Sequence, residues 1–136
     1  MLFRNEYRFL SNMYPSPIRL RFGAAIYEFT CAEAAFQACK NTALIGKFTG
    51  IDGKTAKRLG RNVSLRDDWE KVKLRCMEVI VREKFHQNTE LMEKLKNIPG
   101  CIQEDNTWND TYWGVYKGAG ENHLGKILMR IRDDEI

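Results

Sequence analysis

Strand-like and helix-like patterns occupy different parts of this 136-residue chain. Residues Ile18–Phe22 alternate apolar and polar side chains, Gly23 follows, and Ala24–Phe29 continues as a second extended segment, which predicts a β-hairpin. After Thr30, most segments show the three- and four-residue apolar spacing of helices. Because strands and helices are segregated, we expect an α+β fold: one mostly helical domain over residues 1–136, with a small antiparallel sheet contributed largely by the N-terminal hairpin.

The other predicted elements follow from capping residues, glycines and prolines. Apolar residues at Tyr7–Leu10 suggest a short strand, and the two prolines after it suggest a loop. The remaining expectations are a helix from Thr30 to about Asn41, a short helix over Lys54–Gly60, a long helix over Leu65–Phe85 capped by Ser64, a helix from Asn88 to about Lys96, weak strands at Cys101–Glu104 and Tyr112–Tyr116, and a last helix capped by Asn122.

Composition is typical of a globular protein, with 43% apolar and 29% charged residues. The net charge of +4 permits a nucleic-acid or phosphate-bearing partner without requiring one. The four cysteines match no metal-ligand spacing, so we expect buried free thiols in a reducing compartment, no metal and no cofactor. No signal peptide opens the chain and no apolar run is long enough to span a membrane, so a cytoplasmic location is expected, or a host cytoplasm if the chain is phage-encoded.

One predicted helix carries a carboxylate, an amide and an amine on the same face. On a helical wheel, Gln37 lies about 40° from Glu33 and Lys40 lies about 20° from it on the other side, on the shoulder of an apolar stripe. That position would place them at the edge of a core, where partial desolvation shifts pKa values as acid–base chemistry needs. A structural alternative stays open: Thr30 and Glu33 form a capping box, and Lys40 complements the helix dipole.

Two further groups upstream of the long helix could bind a ligand. Ser11 and Asn12 lie in a loop, where the Asn12 amide offers donors and an acceptor, although an Asx-turn explains it as well. Arg61 and Arg66 flank the start of the long helix and suit an anion, although a solvated charged turn is the alternative. Trp69 follows them, and its ring could stack on a base or belong to the core.

The segment Glu104–Gly114 combines three acids, three aromatic rings and two amides in a turn-rich composition. Such a mixture suits a sugar or nucleoside, through ring faces and hydroxyl contacts, with Asp110, Trp113 and Gly114 as the candidate residues. The next segment, Gly118–Asn122, leads into a predicted helix whose N-terminus is a second possible anion-binding site.

Many short segments, taken in order, match one known family over essentially the whole chain. They are Tyr7–Asn12, Tyr14–Ile18, Glu33–Lys40, Ala56–Arg61, Leu65–Trp69 with Lys73 and Met77, Lys84–Asn88, Glu104, Asn106, Trp108, Asp110, Trp113–Gly114, Gly120–Gly125, Leu128–Met129 and Arg132. Together they resemble the NADAR (YbiA-like) family. Two positions depart from its pattern: Ala34 stands where many members have histidine, and Asn109 stands where glycine is expected.

The resemblance implies an N-glycosidase acting on ADP-ribose-like or ribosyl-phosphate compounds. One group of members removes ADP-ribose from guanine in nucleic acid, and another hydrolyses early riboflavin-pathway intermediates. A non-catalytic module that binds ADP-ribose or nucleic acid is the alternative. Glu33 would stabilise the charge that develops on ribose or activate water, and Lys40 would attack as a Schiff-base nucleophile or bind the substrate. The expected substrate-binding residues are Ser11, Asn12, Gln37, Arg61, Arg66, Trp69, Asp110, Trp113, Gly114 and Asn122.

Overall fold

The computed structural model describes residues 1–136, which form two compact units. The internal unit is the continuous segment Asn12–Asn88, and the terminal unit combines Met1–Ser11 with Thr89–Ile136. Helices dominate both units, and the one extended pair of strands is antiparallel. The predicted α+β class with a small N-terminal sheet is therefore confirmed. None of the helices has the length and apolar character needed to cross a membrane.

The internal unit begins with the predicted hairpin. Strand β1 (Ile18–Phe22) pairs antiparallel with β2 (Ala25–Phe29), and the register sets Ile18 opposite Phe29. The turn contains Gly23, whose φ of 62° is a conformation that glycine adopts without a steric penalty. Ile18 and Leu20 are buried while Arg19 and Arg21, which alternate with them, are exposed, as the sequence predicts.

Three helices and a 3₁₀ segment follow the hairpin. Their bounds are α1 Ala32–Ala38, the 3₁₀ segment Thr42–Phe48, α2 Gly53–Gly60 and α3 Trp69–Gln87. Helix α2 is capped by Asp52, whose carboxylate accepts a hydrogen bond from the Thr55 N–H at 2.8 Å. Helix α3 begins at Trp69 rather than at the predicted Leu65, with Asp68 and not Ser64 at its N-cap.

The buried side of α3 differs in part from the prediction. Trp69 and Ile80 are buried as expected, whereas the predicted Val72, Cys76 and Val79 are only half-buried. The stripe that enters the core consists of Trp69, Met77, Ile80, Val81, Lys84 and Phe85. Because the buried stripe of α3 includes Lys84, the spacing of apolar residues alone predicts a buried face with the wrong centre.

The terminal unit contains the other elements. They are a 3₁₀ helix Asn5–Leu10, α4 Thr89–Lys96, β3 Asp105–Asn106, β4 Val115–Tyr116 and α5 His123–Arg132. The expected strand at Tyr7–Leu10 is therefore wrong, because this segment coils into a 3₁₀ helix directly after Asn5, which has a positive φ of 54°. The two later strands are shorter than expected, begin downstream of the predicted starts and pair in parallel. Helix α5 buries its predicted apolar face, Leu124, Ile127, Leu128 and Ile131.

Candidate active site

Helix α1 places a carboxylate inside the internal unit. Every residue of α1 is buried, because its four alanines allow neighbouring elements to approach closely. Glu33 in its first turn is only 9% exposed. The Glu33 N–H donates to the carbonyl oxygen of Asn12 at 2.9 Å, so the loop that carries Asn12 is fixed to the start of the helix. A carboxylate buried at the start of a helix benefits from the positive end of the helix dipole.

The capping-box interpretation of Glu33 is wrong. Cys31 occupies the N-cap and makes no side-chain cap bond, whereas the Thr30 hydroxyl donates to the carbonyl oxygen of Ile51. The helix therefore begins one residue later than a Thr30 cap requires, and Glu33 does not stand at the third helical position. Thr30 and Glu33 therefore do not form a capping box.

Lys40 lies just beyond the end of α1, in a short turn rather than in the last helical turn as predicted. The helix ends at Ala38, and the Lys40 N–H donates to the Gln37 carbonyl oxygen at 3.2 Å. The Lys40 carbonyl oxygen accepts from the Arg66 N–H at 2.9 Å, which fixes the turn from its other side. Lys40 is half-buried at this point.

The surroundings of Lys40 lower the pKa of its amine. Burial lowers the pKa of Lys40 from its ordinary value of 10.5, and the charges of Lys57 and Arg61 lower it further. The negative charge of Glu33 opposes this shift, which places the carboxylate within electrostatic range of the amine. Glu33, Lys57 and Arg61 are thus the charged residues that act on the Lys40 amine.

Two amide oxygens beside these groups are buried without a hydrogen-bond partner. They are Oδ1 of Asn12 and Oε1 of Gln37, and the Gln37 side chain is only 4% exposed. The Asn12 amide nitrogen contacts the Met77 sulfur at 3.3 Å. Leaving a buried acceptor unpaired costs about 1–3 kcal/mol, so both oxygens are suited to accept hydrogen bonds from the hydroxyl or amino groups of a ligand.

The remaining predicted residues of the internal unit have different surroundings. Arg61 is exposed at the end of α2, within electrostatic range of Lys40. Arg66 forms a two-pronged ion pair with Asp68, with Nε–Oδ1 at 2.6 Å and Nη2–Oδ2 at 3.1 Å, so a phosphate would have to compete with that carboxylate. Trp69 is 7% exposed and packs on Phe36 with ring centroids 5.2 Å apart, which favours its core alternative over a stacking platform.

In the terminal unit, the acidic loop is organised by its own side chains. The Asp110 Oδ1 atom accepts from the N–H groups of Tyr112 at 3.0 Å and Trp113 at 2.9 Å, which holds the two aromatic residues in a tight turn. The half-buried Tyr112 and Trp113 rings meet edge to face at 4.7 Å. Asn109 has a φ of 62°, a left-handed conformation that asparagine tolerates better than most residues, which explains how it replaces the expected glycine.

The other predicted residues of the terminal unit have structural reasons of their own. A Cβ atom on Gly114 would lie 2.4 Å from the Glu104 carbonyl oxygen, so only glycine fits there. Asn122 precedes α5 but does not cap it: its Oδ1 accepts from the Glu104 N–H and its Nδ2 donates to the Ile102 carbonyl oxygen, both at 3.0 Å. Ser11 ends the first 3₁₀ helix, and its N–H donates to the Arg8 carbonyl oxygen.

Sequence reasoning missed one unusual residue of the internal unit, Lys84. Its side chain is 0% exposed, and its Nζ atom lies 5.2 Å from the ring centre of Phe85 and 6.0 Å from that of Tyr14. Burial lowers the pKa of Lys84 to about 7, with Cys31 opposing the shift. Lys84 follows Ile80 by four residues and Met77 by seven, so it lies on the apolar stripe of the helix. This spacing could have predicted from the sequence that Lys84 is buried.

Comparisons with known proteins identify the family of this chain. A model of the NADAR domain family matches residues 2–134, and the chain therefore belongs to the NADAR domain family. The solution structure of the Escherichia coli protein YbiA superposes with a TM-score of 0.82 at 31% identity, covering 99% of this chain and 83% of that one. The recognition made from the ordered motifs is thus confirmed.

Three curated relatives carry names that describe a function. An N-glycosidase of Nostoc punctiforme is 31% identical over 94% of this chain and 85% of its own length. The N-glycosidase YbiA of Escherichia coli K12 is 41% identical over 57% of this chain, and the match spans 51% of that protein. A riboflavin biosynthesis protein of Vibrio vulnificus is 34% identical over 93% of this chain but only 35% of its own length. The chain thus spans about half the length of the curated YbiA proteins that it matches.

Proposed function

We propose that this protein hydrolyses the N-glycosidic bond between a base and a ribose that carries phosphate. The observation that carries the proposal is a buried Glu33 carboxylate whose charge acts on the half-buried amine of Lys40. The NADAR domain match and the relatives named N-glycosidases support the same reaction class. Within this class, we assign the removal of ADP-ribose from guanine in nucleic acid as the first candidate activity.

Glu33 is suited to the charge that this reaction develops. Breaking an N-glycosidic bond places positive charge on the ribose C1′–O4′ unit, and a carboxylate stabilises that charge or activates the attacking water. Because Glu33 is largely removed from solvent, its negative charge is screened less than that of an exposed carboxylate. Asn12 and Gln37 would accept hydrogen bonds from the ribose hydroxyl groups through their unpaired oxygens.

Lys40 is suited to nucleophilic attack, because its pKa is lowered and an amine must be neutral to act as a nucleophile. Attack on C1′ of a ring-opened sugar would break the C1′–N bond, so that the base leaves with a proton and the sugar stays on Lys40 as a Schiff base. Water would then hydrolyse the imine, which releases the sugar and regenerates the amine. As a charged group, Lys40 would instead bind phosphate or protonate the leaving base. Lys57 and Arg61 add positive charge for the phosphates in either case.

A second candidate substrate class is favoured by one relative. The Vibrio vulnificus protein, which is named for riboflavin biosynthesis, matches 93% of this chain. Early intermediates of that pathway also join a base to a ribosyl phosphate through an N-glycosidic bond, so the same carboxylate and amine would serve. The leaving base distinguishes the two candidates, and a substrate comparison decides between them.

The deciding experiment uses a short single-stranded DNA that carries ADP-ribose on guanine. The wild-type protein and the Glu33→Gln variant are incubated with it, and the release of ADP-ribose is followed by chromatography. We expect release by the wild type and a loss of on the order of a hundredfold or more in the variant, with ligand binding retained. The matched control is Glu93→Gln, which neutralises an exposed carboxylate on α4 and should leave the rate unchanged.

Each result has a definite meaning. Equal rates for the wild type and Glu33→Gln would remove Glu33 from the mechanism. No release by a folded wild-type protein would reject the ADP-ribosyl-guanine substrate, and the riboflavin intermediates would then be tested in the same way. Binding of ADP-ribose without hydrolysis of either substrate class would show a binding module and reject the proposed enzyme.

A separate experiment assigns the role of Lys40. Borohydride added during turnover should trap the sugar on Lys40 as a stable secondary amine, detectable by peptide mass spectrometry. The Lys40→Arg variant should lose nearly all activity, because a guanidinium forms no imine. The exposed Lys126→Arg is the control. Substantial activity in Lys40→Arg, without a trapped adduct in the wild type, would leave Lys40 as a binding residue only.

A further inference from the structure

The Asn12 side chain is held by a residue of α3 that lies 65 positions further along the chain. The Asn12 Nδ2 atom donates a hydrogen bond to the Sδ atom of Met77 at 3.3 Å. Met77 belongs to the buried stripe of α3 and is only 2% exposed. The other end of the same amide, the Asn12 Oδ1 atom, is buried and has no hydrogen-bond partner. The amide therefore uses its donor inside the protein and leaves its acceptor available.

The backbone of the loop that carries Asn12 is fixed at both ends. At its start, the Asn12 carbonyl oxygen accepts from the Glu33 N–H at 2.9 Å. At its end, the Asn88 Nδ2 atom donates to the Pro17 carbonyl oxygen at 3.2 Å. Because the loop is attached to the first turn of α1 and to the residue that follows α3, the rotation of the Asn12 amide is the change that remains open to this residue.

The sulfur of Met77 determines which orientation the amide adopts. Turning an asparagine amide over exchanges its oxygen and nitrogen in nearly the same volume, so the neighbouring atoms decide between the two orientations. A thioether sulfur carries no hydrogen and can only accept a hydrogen bond. The amide nitrogen therefore gains a partner beside this sulfur, whereas the amide oxygen would meet another electron-rich atom. Met77 thus selects the orientation in which Asn12 offers an acceptor.

We propose that Met77 is a positioning residue of the candidate active site, which orients the Asn12 amide so that the site accepts a hydrogen bond from a ribose hydroxyl group. The Asn12 backbone is hydrogen-bonded to Glu33, the residue that carries the proposed chemistry, so a ligand in the site is the expected partner of the Asn12 oxygen. A sugar that lacks the hydroxyl group leaves this buried oxygen unpaired and binds less tightly. The choice of ligand rests on the proposed function, whereas the orientation of the amide does not.

The first test examines the ligand-free protein by NMR spectroscopy. The carboxamide protons of Asn12, assigned by their loss in Asn12→Ala, should show nuclear Overhauser contacts to the Met77 methyl group. Met77→Leu keeps an apolar side chain of similar volume but removes the acceptor, so it should shift these proton resonances. Met92→Leu, the same change at a half-buried position of α4, is the control and should leave them in place. Absent contacts, together with resonances that Met77→Leu does not shift, would overturn the proposal.

The second test measures the selection of the ligand by titration calorimetry. The probes are ADP-ribose and analogues that each lack one hydroxyl group of the terminal ribose. We expect one analogue to bind the wild type roughly threefold to tenfold more weakly than ADP-ribose, which is the effect of one lost hydrogen bond. This penalty should disappear in Asn12→Ala and shrink in Met77→Leu, because leucine does not select the amide orientation. Met92→Leu should retain the full penalty.

A purely structural role of Met77 would give a different result. Met77→Leu would then weaken the binding of ADP-ribose and of every analogue by the same factor, and the penalty for the missing hydroxyl group would equal that of the wild type. Such equal penalties would overturn the proposed role, provided that urea unfolding shows both proteins folded under the assay conditions. If the folded wild type neither binds ADP-ribose nor hydrolyses either substrate class, the proposed function fails, while the NMR contacts still decide whether Met77 orients Asn12.

Discussion

At the residue scale, the position of the buried Gln37 side chain requires that residue 60 has no side chain. A Cβ atom on Gly60 would lie 1.9 Å from Gln37 Oε1 and 2.8 Å from its Cδ. Gly60→Ala should therefore destabilise the protein by about 1–3 kcal/mol, although alanine favours a helix by up to about 1 kcal/mol. In a Gln37→Ala background, the same substitution should be neutral or stabilising. Urea unfolding of the four proteins measures this, and equal penalties in both backgrounds would show that the two residues are not coupled.

Lys84 predicts a pH dependence of stability. Its pKa is about 7 in the folded protein against an ordinary 10.5, so the unfolded chain holds a proton that the folded chain has released. Stability therefore rises with pH above about 7 and is lost as the pH falls through that value. Between about pH 6.5 and 9, the free energy of unfolding should rise by roughly 2–3 kcal/mol more in the wild type than in Lys84→Met.

Urea unfolding at the two pH values gives this difference directly. The exposed Lys126→Met is the matched control and should follow the wild type. A parallel pH dependence in the wild type and Lys84→Met would mean that Lys84 keeps its proton inside the folded protein.

At the element scale, Asn122 joins the start of α5 to the segment before β3. Its side chain makes two buried hydrogen bonds, to the Glu104 N–H and the Ile102 carbonyl oxygen, and its own φ is 54°. Asn122→Gly keeps the left-handed backbone and should lose about 2 kcal/mol through the two bonds alone. Asn122→Ala adds the steric cost of that backbone and should lose about 1 kcal/mol more. Thermal or urea unfolding separates the two terms, and equal losses would mean that the backbone is unstrained.

The elements that the sequence predicted well are those fixed by local periodicity. The hairpin of β1 and β2 and the apolar face of α5 follow from spacing alone. The start of α1 was misplaced because the Thr30 side chain bonds to Ile51 rather than to the helix, which no local pattern reveals. Short apolar segments such as Tyr7–Leu10 are compatible with a strand or with a helical turn. This segment belongs to a 3₁₀ helix that begins at Asn5, which has a left-handed backbone conformation.

In the candidate site too, the features that were predicted are local in the sequence. Glu33 and Gln37 were found because both lie on one helical face, so their proximity is a local property. The burial of Lys84 and the ion pair of Arg66 with Asp68 were not predicted. The first depends on contacts between segments distant in the sequence, and the second depends on the rotamer that Arg66 adopts toward Asp68.

At the scale of the whole molecule, the net charge of +4 is unevenly distributed. Residues 54–61 carry four cationic side chains and no acidic one, and Lys54, Arg58 and Arg61 among them are exposed. If two of these cations contact the backbone of a modified nucleic acid, raising the salt concentration from about 50 to 200 mM should lower kcat/KM by roughly sevenfold. An ADP-ribosylated guanosine mononucleotide presents the same glycosidic bond without flanking phosphates, so its kcat/KM should change much less.

Comparing the two substrates over this salt range isolates the contribution of the polynucleotide, because the bond that is broken is identical. Replacing both Lys54 and Arg58 with glutamine should flatten the salt dependence for the oligonucleotide and leave the mononucleotide rate unchanged. The control replaces the exposed Lys126 of α5 with glutamine and should leave both dependences as they are. Equal salt dependence for the two substrates in the wild type would mean that the protein recognises only the modified nucleotide. A small molecule would then be as good a substrate as nucleic acid, which is what the riboflavin-intermediate alternative requires.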